Sequence, residues 1–562
     1  MESRSCWTSQ KKSCQMVVWM LLAILSVILS NCQPSLAAIY DVDVVFADMS
    51  PEPIYIFTEG GIYARASVVL KLPSIPTSGV VANSSDGLNT LATAMKINRA
   101  SYIALEMDLQ VPKSMGPNGT MFDVVLVRGD VLSYVGEDDN FGKRHWCCTA
   151  EIQQAQADMG KDRCNLGSLI VRRAPIPLGM GPLSPPVVYM PLMIPGVDPS
   201  DTRESSIRRL DRSLFVRVSG VYTLILASCG STTSDASLRM TGQIIVKNPH
   251  GYLAGQLFGF MRSYEILYYC YLSTVIAWIA VLIIQNKYML TLHLYLSGLL
   301  FLGLIEAMLY RHAYHSANRT GTPMFPIPSS LLMADFFSVM KIVISKLLIL
   351  LVSMGWCVVR ASVGPSNIRA ATVYSGLNFL FALAHEVISS ASHKNTMSFV
   401  ISICVVIPLL ILDTLLMFWI FVELSKTRSH LKERRQFAKL RMYRAYTSAL
   451  VLFLAAISAW GLWAIITALK SDPNERWHHQ HWQSYFLVGG FPPGGIMWDI
   501  CYFGLLFVML ILFVPSERTS LYTPSVRADD DEEEPMILSS MEHMDSDSRK
   551  AVDVKEFFTL ED

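Results

Sequence analysis

The pattern of apolar and polar positions divides the chain in two. From about Ile39 to Leu257, apolar residues come in short alternating or β-branched runs set off by turn residues: Val42–Phe46, Asp123–Val127, Leu214–Val218, Val221–Leu226 and Gln243–Val246. Alternation over so few residues suits strands with one face on a core, which predicts an all-β sandwich. Eight prolines between Ala174 and Pro199 predict an extended loop there, because the proline ring fixes φ and removes a donor. After Leu257 seven long apolar runs follow: Tyr264–Ile284, Leu292–Tyr310, Leu331–Val359, Ala371–Ser390, Phe399–Leu424, Thr447–Leu469 and Ile496–Val514. About 20 apolar residues cross the hydrocarbon core, where no water satisfies the backbone, so each run is read as a membrane helix. The predicted fold class is a multi-domain membrane protein: an all-β sandwich, then an all-α seven-helix bundle.

The ends add two further segments. Lys11 and Lys12, the apolar stretch Met16–Leu29 and Ser35-Leu36-Ala37 have the layout of a secretory signal peptide, assigned to residues 1–37. The expected boundaries are then 38–256 for a luminal sandwich, 257–516 for the bundle and 517–562 for a cytosolic tail. From Pro515 onward the chain has fourteen acidic and five basic residues, a composition that predicts a disordered, solvated tail. Orientation rests on two signals. Span-connecting loops on the cytosolic side hold eleven basic residues, those on the luminal side five, as the positive-inside rule requires. The glycosylation sequons at Asn83, Asn118 and Asn318 all fall on the luminal side.

Composition narrows the class. Of 562 residues, 52% are hydrophobic and only 16% charged, with mean hydropathy +0.36. A soluble domain carries roughly 25% charged residues. The 46 basic and 46 acidic residues cancel, so no global field draws the chain to nucleic acid. Cys147, Cys148, Cys164 and Cys229 are an even set within the predicted ectodomain, which suits an oxidising compartment. A vicinal Cys147–Cys148 bond would be strained, so two pairings stay open. No nucleophile elbow, phosphate loop or metalloprotease helix occurs, and an enzyme is the least favoured class.

A resemblance enters at Asn248-Pro249-His250-Gly251-Tyr252-Leu253 before the first span. It continues through Asp335, Ser338, Lys341 and Val352-Ser353-Met354-Gly355 in the third, and Asp413 with Trp419-Ile420-Phe421 in the fifth. Lys432, Arg434, Arg435, Lys439-Leu440 and Tyr443-Arg444 follow in the basic loop, then Thr447, Trp498 and Pro515-Ser516. On these residues, roughly 240 to 540, the chain resembles the lung seven-transmembrane receptor family, and within it the transmembrane protein 87 group. The family implies a Golgi-dynamics (GOLD) type ectodomain, residence in the Golgi membrane and a role in endosome-to-Golgi retrograde transport. A pH-sensitive cation channel is the second function the resemblance implies. The chain departs from its relatives at Gly494-Gly495, where they place an acidic pair, and at Ile342 and Lys346, where they have Arg. An orphan signalling receptor is a third class, but neither an acidic-Arg-aromatic triplet after the third span nor Asn-Pro-x-x-Tyr in the last is present.

Ionisable groups inside spans are costly and usually functional. Glu306, Asp335, Lys341, Lys346, Glu386 and Asp413 are such groups. Asp335, Ser338, Lys341, Ser345 and Lys346 fall within ~140° of one helix face, which should look into the bundle. They are read as the lining of a water-filled or lipid-head-group cavity, or as a buried ion-pair network that fixes helix register. Counting 1.5 Å per residue puts Lys341 ~15 Å and Asp413 ~22 Å below the luminal end. The expected partner of Lys341 is therefore Asp413 or, preferably, a phospholipid head group; no other cofactor and no metal is expected. His312, His315, His393, His478, His479 and His481 crowd the luminal loops and are candidate pH sensors, or simply solvated loop residues. The basic stretch holding Lys432, Arg434, Arg435, Lys439 and Arg444 should bind anionic lipid heads. Phe557-Phe558 and the acidic run Asp529–Glu534 before Pro535-Met536-Ile537-Leu538 read as sorting signals. Expected partners are thus membrane lipids, a luminal cargo protein, and coat or adaptor proteins at the tail.

Overall fold

The computed structural model describes residues 39–45, 54–62, 101–112, 120–138, 144–158, 164–172, 187–194, 205–216, 218–229, 238–321, 328–360, 363–391, 397–469, 482–488 and 495–515. The signal-peptide and tail assignments, Asn83, Asn118, His393, His478, His479, His481, Phe557 and Phe558 lie outside them. The first part is built from β1 (Ile39–Val45), β2 (Ile54–Ile62), β3 (Tyr102–Pro112), β4 (Thr120–Arg128), the short pair β5 (Glu137–Asp138) and β6 (Arg144–His145), α1 (Ala150–Asp158), β7 (Val187–Ile194), β8 (Ser205–Phe215), β9 (Gly220–Ala227) and β10 (Arg239–Lys247). Two antiparallel four-stranded sheets form, in the orders β1-β10-β3-β8 and β2-β9-β4-β7. Their inner faces share one core of Val42, Leu105, Met107, Phe122, Leu126, Leu224, Leu226, Met240 and Ile244. This is the sandwich that the alternation predicts.

Sheet two is buried on its outer face as well, which explains why every residue of β9 is buried. Val125, Val127, Ile225 and Ala227 point outward and meet Val131, Val135 and Leu169 from the segment between β4 and β7. Disulfides Cys147–Cys229 and Cys148–Cys164 tie this cap to the end of β9 and to itself. Of the two pairings left open by the sequence, the structure takes this one. Asp123, fully buried beneath the cap, accepts from Leu169 N at 2.8 Å and from the Tyr189 hydroxyl at 2.9 Å.

Two expectations need correction. Leu214–Val218 is not a strand of its own: β8 ends at Phe215, and Val218 lies in a bend. The proline-rich stretch Ala174–Pro199 is not all loop, because β7 runs through it. Pro191 is tolerated there since β7 is an edge strand, where a missing donor breaks no second ladder.

The second part is helical: α2 (Gly255–Ile284), α3 (Thr291–Thr320), α4 (Ser329–Ser353), α5 (Pro365–Ala391), α6 (Met397–Glu433), α7 (Phe437–Leu469) and α8 (Met497–Leu512). These coincide in order and position with the seven apolar runs. Five of them, α2, α3, α4, α6 and α7, are long and apolar enough to cross a membrane over their described residues. The third run stops short of Val359, because Gly355 at φ +87° and Cys357 at φ +62° turn the chain after Ser353. The basic loop is mostly helix. α6 and α7 are joined by a tight turn at 434–436, which leaves Lys432, Arg434, Arg435 and Arg444 exposed and Lys439 half-buried.

A short strap mounts the sandwich on the bundle. After β10, Asn248 and Gly251 exchange backbone hydrogen bonds of 2.7 and 3.2 Å. The Asn318 side chain, at the end of α3, donates to the His250 carbonyl at 2.7 Å and accepts from Leu253 N at 3.3 Å. Gly251 sits at φ +141°, and a Cβ there would fall 2.4 Å from the Asn318 oxygens, so only glycine fits. The Asn318 amide expected to carry a glycan is thus engaged in this joint. His250 packs on Phe258 with ring centroids 4.1 Å apart, and burial pushes its imidazole down to about 4.

Two predictions arise here. Peptide mapping without reduction should recover Cys147–Cys229 and Cys148–Cys164; a Cys147–Cys164 peptide would contradict the topology. The folded state binds less proton at His250 than the unfolded chain, whose histidine titrates near 6.5. Stability from this residue is therefore complete above about pH 6.5 and is lost as pH falls toward about 4. His250→Gln should flatten the decline of melting temperature over that window; an unchanged slope would remove His250 as its source.

Candidate functional site in the bundle

α4 is amphipathic in an inverted sense: its polar residues face protein. Lys341, fully buried, bonds two carboxylates, Glu306 Oε2 of α3 at 2.5 Å and Asp499 Oδ1 of α8 at 3.1 Å. Asp499 accepts at its other oxygen from the Tyr264 hydroxyl of α2 at 2.8 Å. The ammonium also lies 4.6 Å from the centre of the Tyr502 ring. Four helices therefore meet at one cation. Sequence reasons exist for each position. Asp499 is in the first turn of α8, where the helix dipole favours an anion. Gly303, one turn from Glu306, lets the Tyr271 ring lie against α3, since a Cβ would come within 2.5 Å of that ring.

On the sandwich side an aromatic stack closes the cluster: Tyr264 lies 4.4 Å from Tyr310 and 6.0 Å from Tyr314. Tyr310 donates to Asp335 at 2.7 Å. On the other side is a cavity of about 20 Å³, room for about one water, lined by Leu296, Leu299, Leu348 and Leu505 with Ser345 and Tyr502.

Asp413 belongs to a second cluster, not to Lys341. Its Oδ1 accepts from Lys346 at 2.6 Å, from Asn378 of α5 at 2.9 Å and from Tyr374 at 3.4 Å. The expected pairing of Lys341 with Asp413 or a lipid head group is therefore replaced. The same count of 1.5 Å per residue from Leu331 puts Lys346 ~22 Å deep, level with Asp413. For Lys341 the count assumed that all spans end at one level. α3 instead runs on to Thr320, ~21 Å beyond Glu306, and Lys341 is ~18 Å from the start of α4, so those two are level.

The other predicted residues are dispersed. Ser338 lies beside the Glu306 carboxylate. Glu386 has His385 Nδ1 at 3.9 Å. His312 is exposed on α3, and His315 is 3.9 Å from Glu265. Asp499, Tyr264, Asn378 and Tyr374 were missed. Asp499 had a signal, an acid set inside the last apolar run; the tyrosines and Asn378 had none that single-sequence reasoning separates from ordinary packing.

Residues 259–520 match the family described as "GOST, seven transmembrane domain". The bundle is thus similar to a GOST seven-transmembrane domain over nearly its whole length. Beyond it the chain is similar to transmembrane protein 87A of Xenopus tropicalis, 24% identical over 364 residues, 63% of this chain and 63% of the relative. Transmembrane protein 87A of Homo sapiens is 25% identical over 57% of this chain and 55% of its own length. Membrane protein PTM1 of Saccharomyces cerevisiae is 21% identical over 53% and 56%. The chain thus spans about half to under two thirds of the length of these relatives. It is a multi-pass membrane protein that is similar to these relatives over that part of its length.

The two clusters make opposite predictions for rescue. Lys341→Met should cost about 3–5 kcal/mol, because it leaves buried carboxylate charge uncompensated. Adding Asp499→Asn should restore much of the loss, while adding Asp413→Asn should restore none. Melting temperatures of the purified variants decide it; rescue by Asp413→Asn alone would overturn the assignment.

Proposed function

We propose that this chain is a Golgi membrane protein of endosome-to-Golgi transport that acts as a sorting receptor. Its sandwich faces the lumen and takes cargo; its tail faces the cytosol and takes coat or adaptor proteins. The observation that carries this reading is the mount between the two parts. β10 passes through seven residues into α2, and Asn318 of α3 clamps that passage from the other side. A load on the sandwich therefore acts directly on the first two helices of the bundle. The exposed basic turn at 434–436 supports a cytosolic, lipid-facing end.

The rival reading, a pH-sensitive cation channel, needs a continuous polar path. The leucine-lined space beside Lys341 and the pairing of both lysines with carboxylates favour sorting over conduction. The test is localisation. Tagged full-length protein should overlap a Golgi marker, and Phe557→Ala with Phe558→Ala should hold it in the endoplasmic reticulum. Golgi staining unchanged in that variant would remove the exit signal, and wild-type staining elsewhere would remove the Golgi assignment.

A further inference from the structure

The Lys341 cluster does not balance. One ammonium faces two carboxylates, and Lys341, Glu306 and Asp499 are 0%, 2% and 8% exposed. Among the described residues the other titratable groups packed around them are Tyr264 and Tyr271 from α2, Tyr310 from α3 and Tyr502 from α8, all phenols, which carry no positive charge. Asp335, on α4 itself, is bonded to Tyr310 instead. With both acids ionised, a net negative charge would sit in the middle of a membrane bundle, where a charge without compensation is strongly disfavoured.

The two carboxylates are not equivalent. Both oxygens of Asp499 accept: Oδ1 from Lys341 at 3.1 Å, Oδ2 from Tyr264 at 2.8 Å. It also begins a helix, where the dipole suits an anion. Glu306 accepts from Lys341 at Oε2, but its Oε1 is enclosed and has no hydrogen-bond partner among the described residues. A bare, enclosed carboxylate oxygen is the costliest place in the cluster for negative charge. A metal cation cannot supply the missing charge there, because the Lys341 ammonium already sits 2.5 Å from the same carboxylate and would repel it.

We propose that Glu306 is a proton-binding site: its Oε1 carries a proton, so that the cluster is Lys341 ammonium, Asp499 carboxylate and Glu306 carboxylic acid, net neutral. Asp499 is then the true counter-ion of Lys341, and Glu306 a neutral hydrogen-bond partner, even though Glu306 makes the shorter contact.

Infrared spectroscopy of the purified full-length protein reads this directly. The carbonyl stretch of a protonated carboxylic acid, identified by its shift in heavy water, should be present in wild type and reduced by one group in Glu306→Gln. That variant should fold and melt close to wild type, because glutamine imitates a protonated but not an ionised glutamate. No loss of the band, or a variant that fails to fold, overturns the proposal. A second arm does not depend on Glu306→Gln alone. In a Lys341→Met background, Asp499→Asn should restore the melting temperature and Glu306→Gln should not. Equal or better rescue by Glu306→Gln means that Glu306 carries the charge.

Discussion

A lysine at the centre of a membrane bundle has to be answered by a carboxylate, and that demand organises the helical half of this protein. On lenient insertion scales a lysine at the middle of a span costs ~2.5–3.5 kcal/mol. Lys341 has no route to an interface, being fully buried. Its partners must come from other helices, and they do, from α3 and α8, with α2 joined through Tyr264. The direction of this constraint matters. Lipid tails are as apolar as leucine, so apolar matching between helices is weakly selective. A charge that pairs at one depth only fixes register.

α4 extends the same logic to the remaining helices. Lys346 reaches α5 and α6 through Asn378 and Asp413. At its end, where carbonyls lack intrahelical partners, Thr427 of α6 donates to Ser353 O at 2.8 Å and Tyr443 of α7 donates to Val352 O at 2.9 Å. Tyr446 adds a bond to Ile349 O at 3.1 Å. Every other bundle helix is therefore tied to α4 by a polar contact, directly or through Asp499. The sandwich joins this frame at the opposite side, through the Asn318 clamp on α3.

Much of this was legible in the sequence, and the failures have physical causes. The seven spans could be read because bilayer thickness sets a length that strands and loops rarely reach. β4, β9 and β10 could be read because alternation or β-branching marked them. β2 and β3 escaped because Glu59, Gly60 and Gly61 interrupt one, while Glu106, Asp108 and Gln110 of the other face outward without an uninterrupted apolar run. Pro191 hid β7, since an edge strand tolerates a residue that a central strand does not. Lys341 and Glu306 stood out as ionisable groups in apolar runs. Which acid met which lysine did not, because helix ends in this bundle lie at different depths. Asp499, four residues beyond Gly495, does carry a signal, since one acid in a run as apolar as Met497–Leu512 is the kind that matters most.

The central claim is that Lys341 joins α3, α4 and α8. An experimental density map of the full-length protein that resolves side chains tests it most directly. The account predicts the Lys341 Nζ density in contact with both Glu306 and Asp499, near 2.5 and 3.1 Å, with the Tyr264 hydroxyl on Asp499. A Lys341 side chain turned to Asp413, or to the phosphate of a lipid within the bundle, would contradict it.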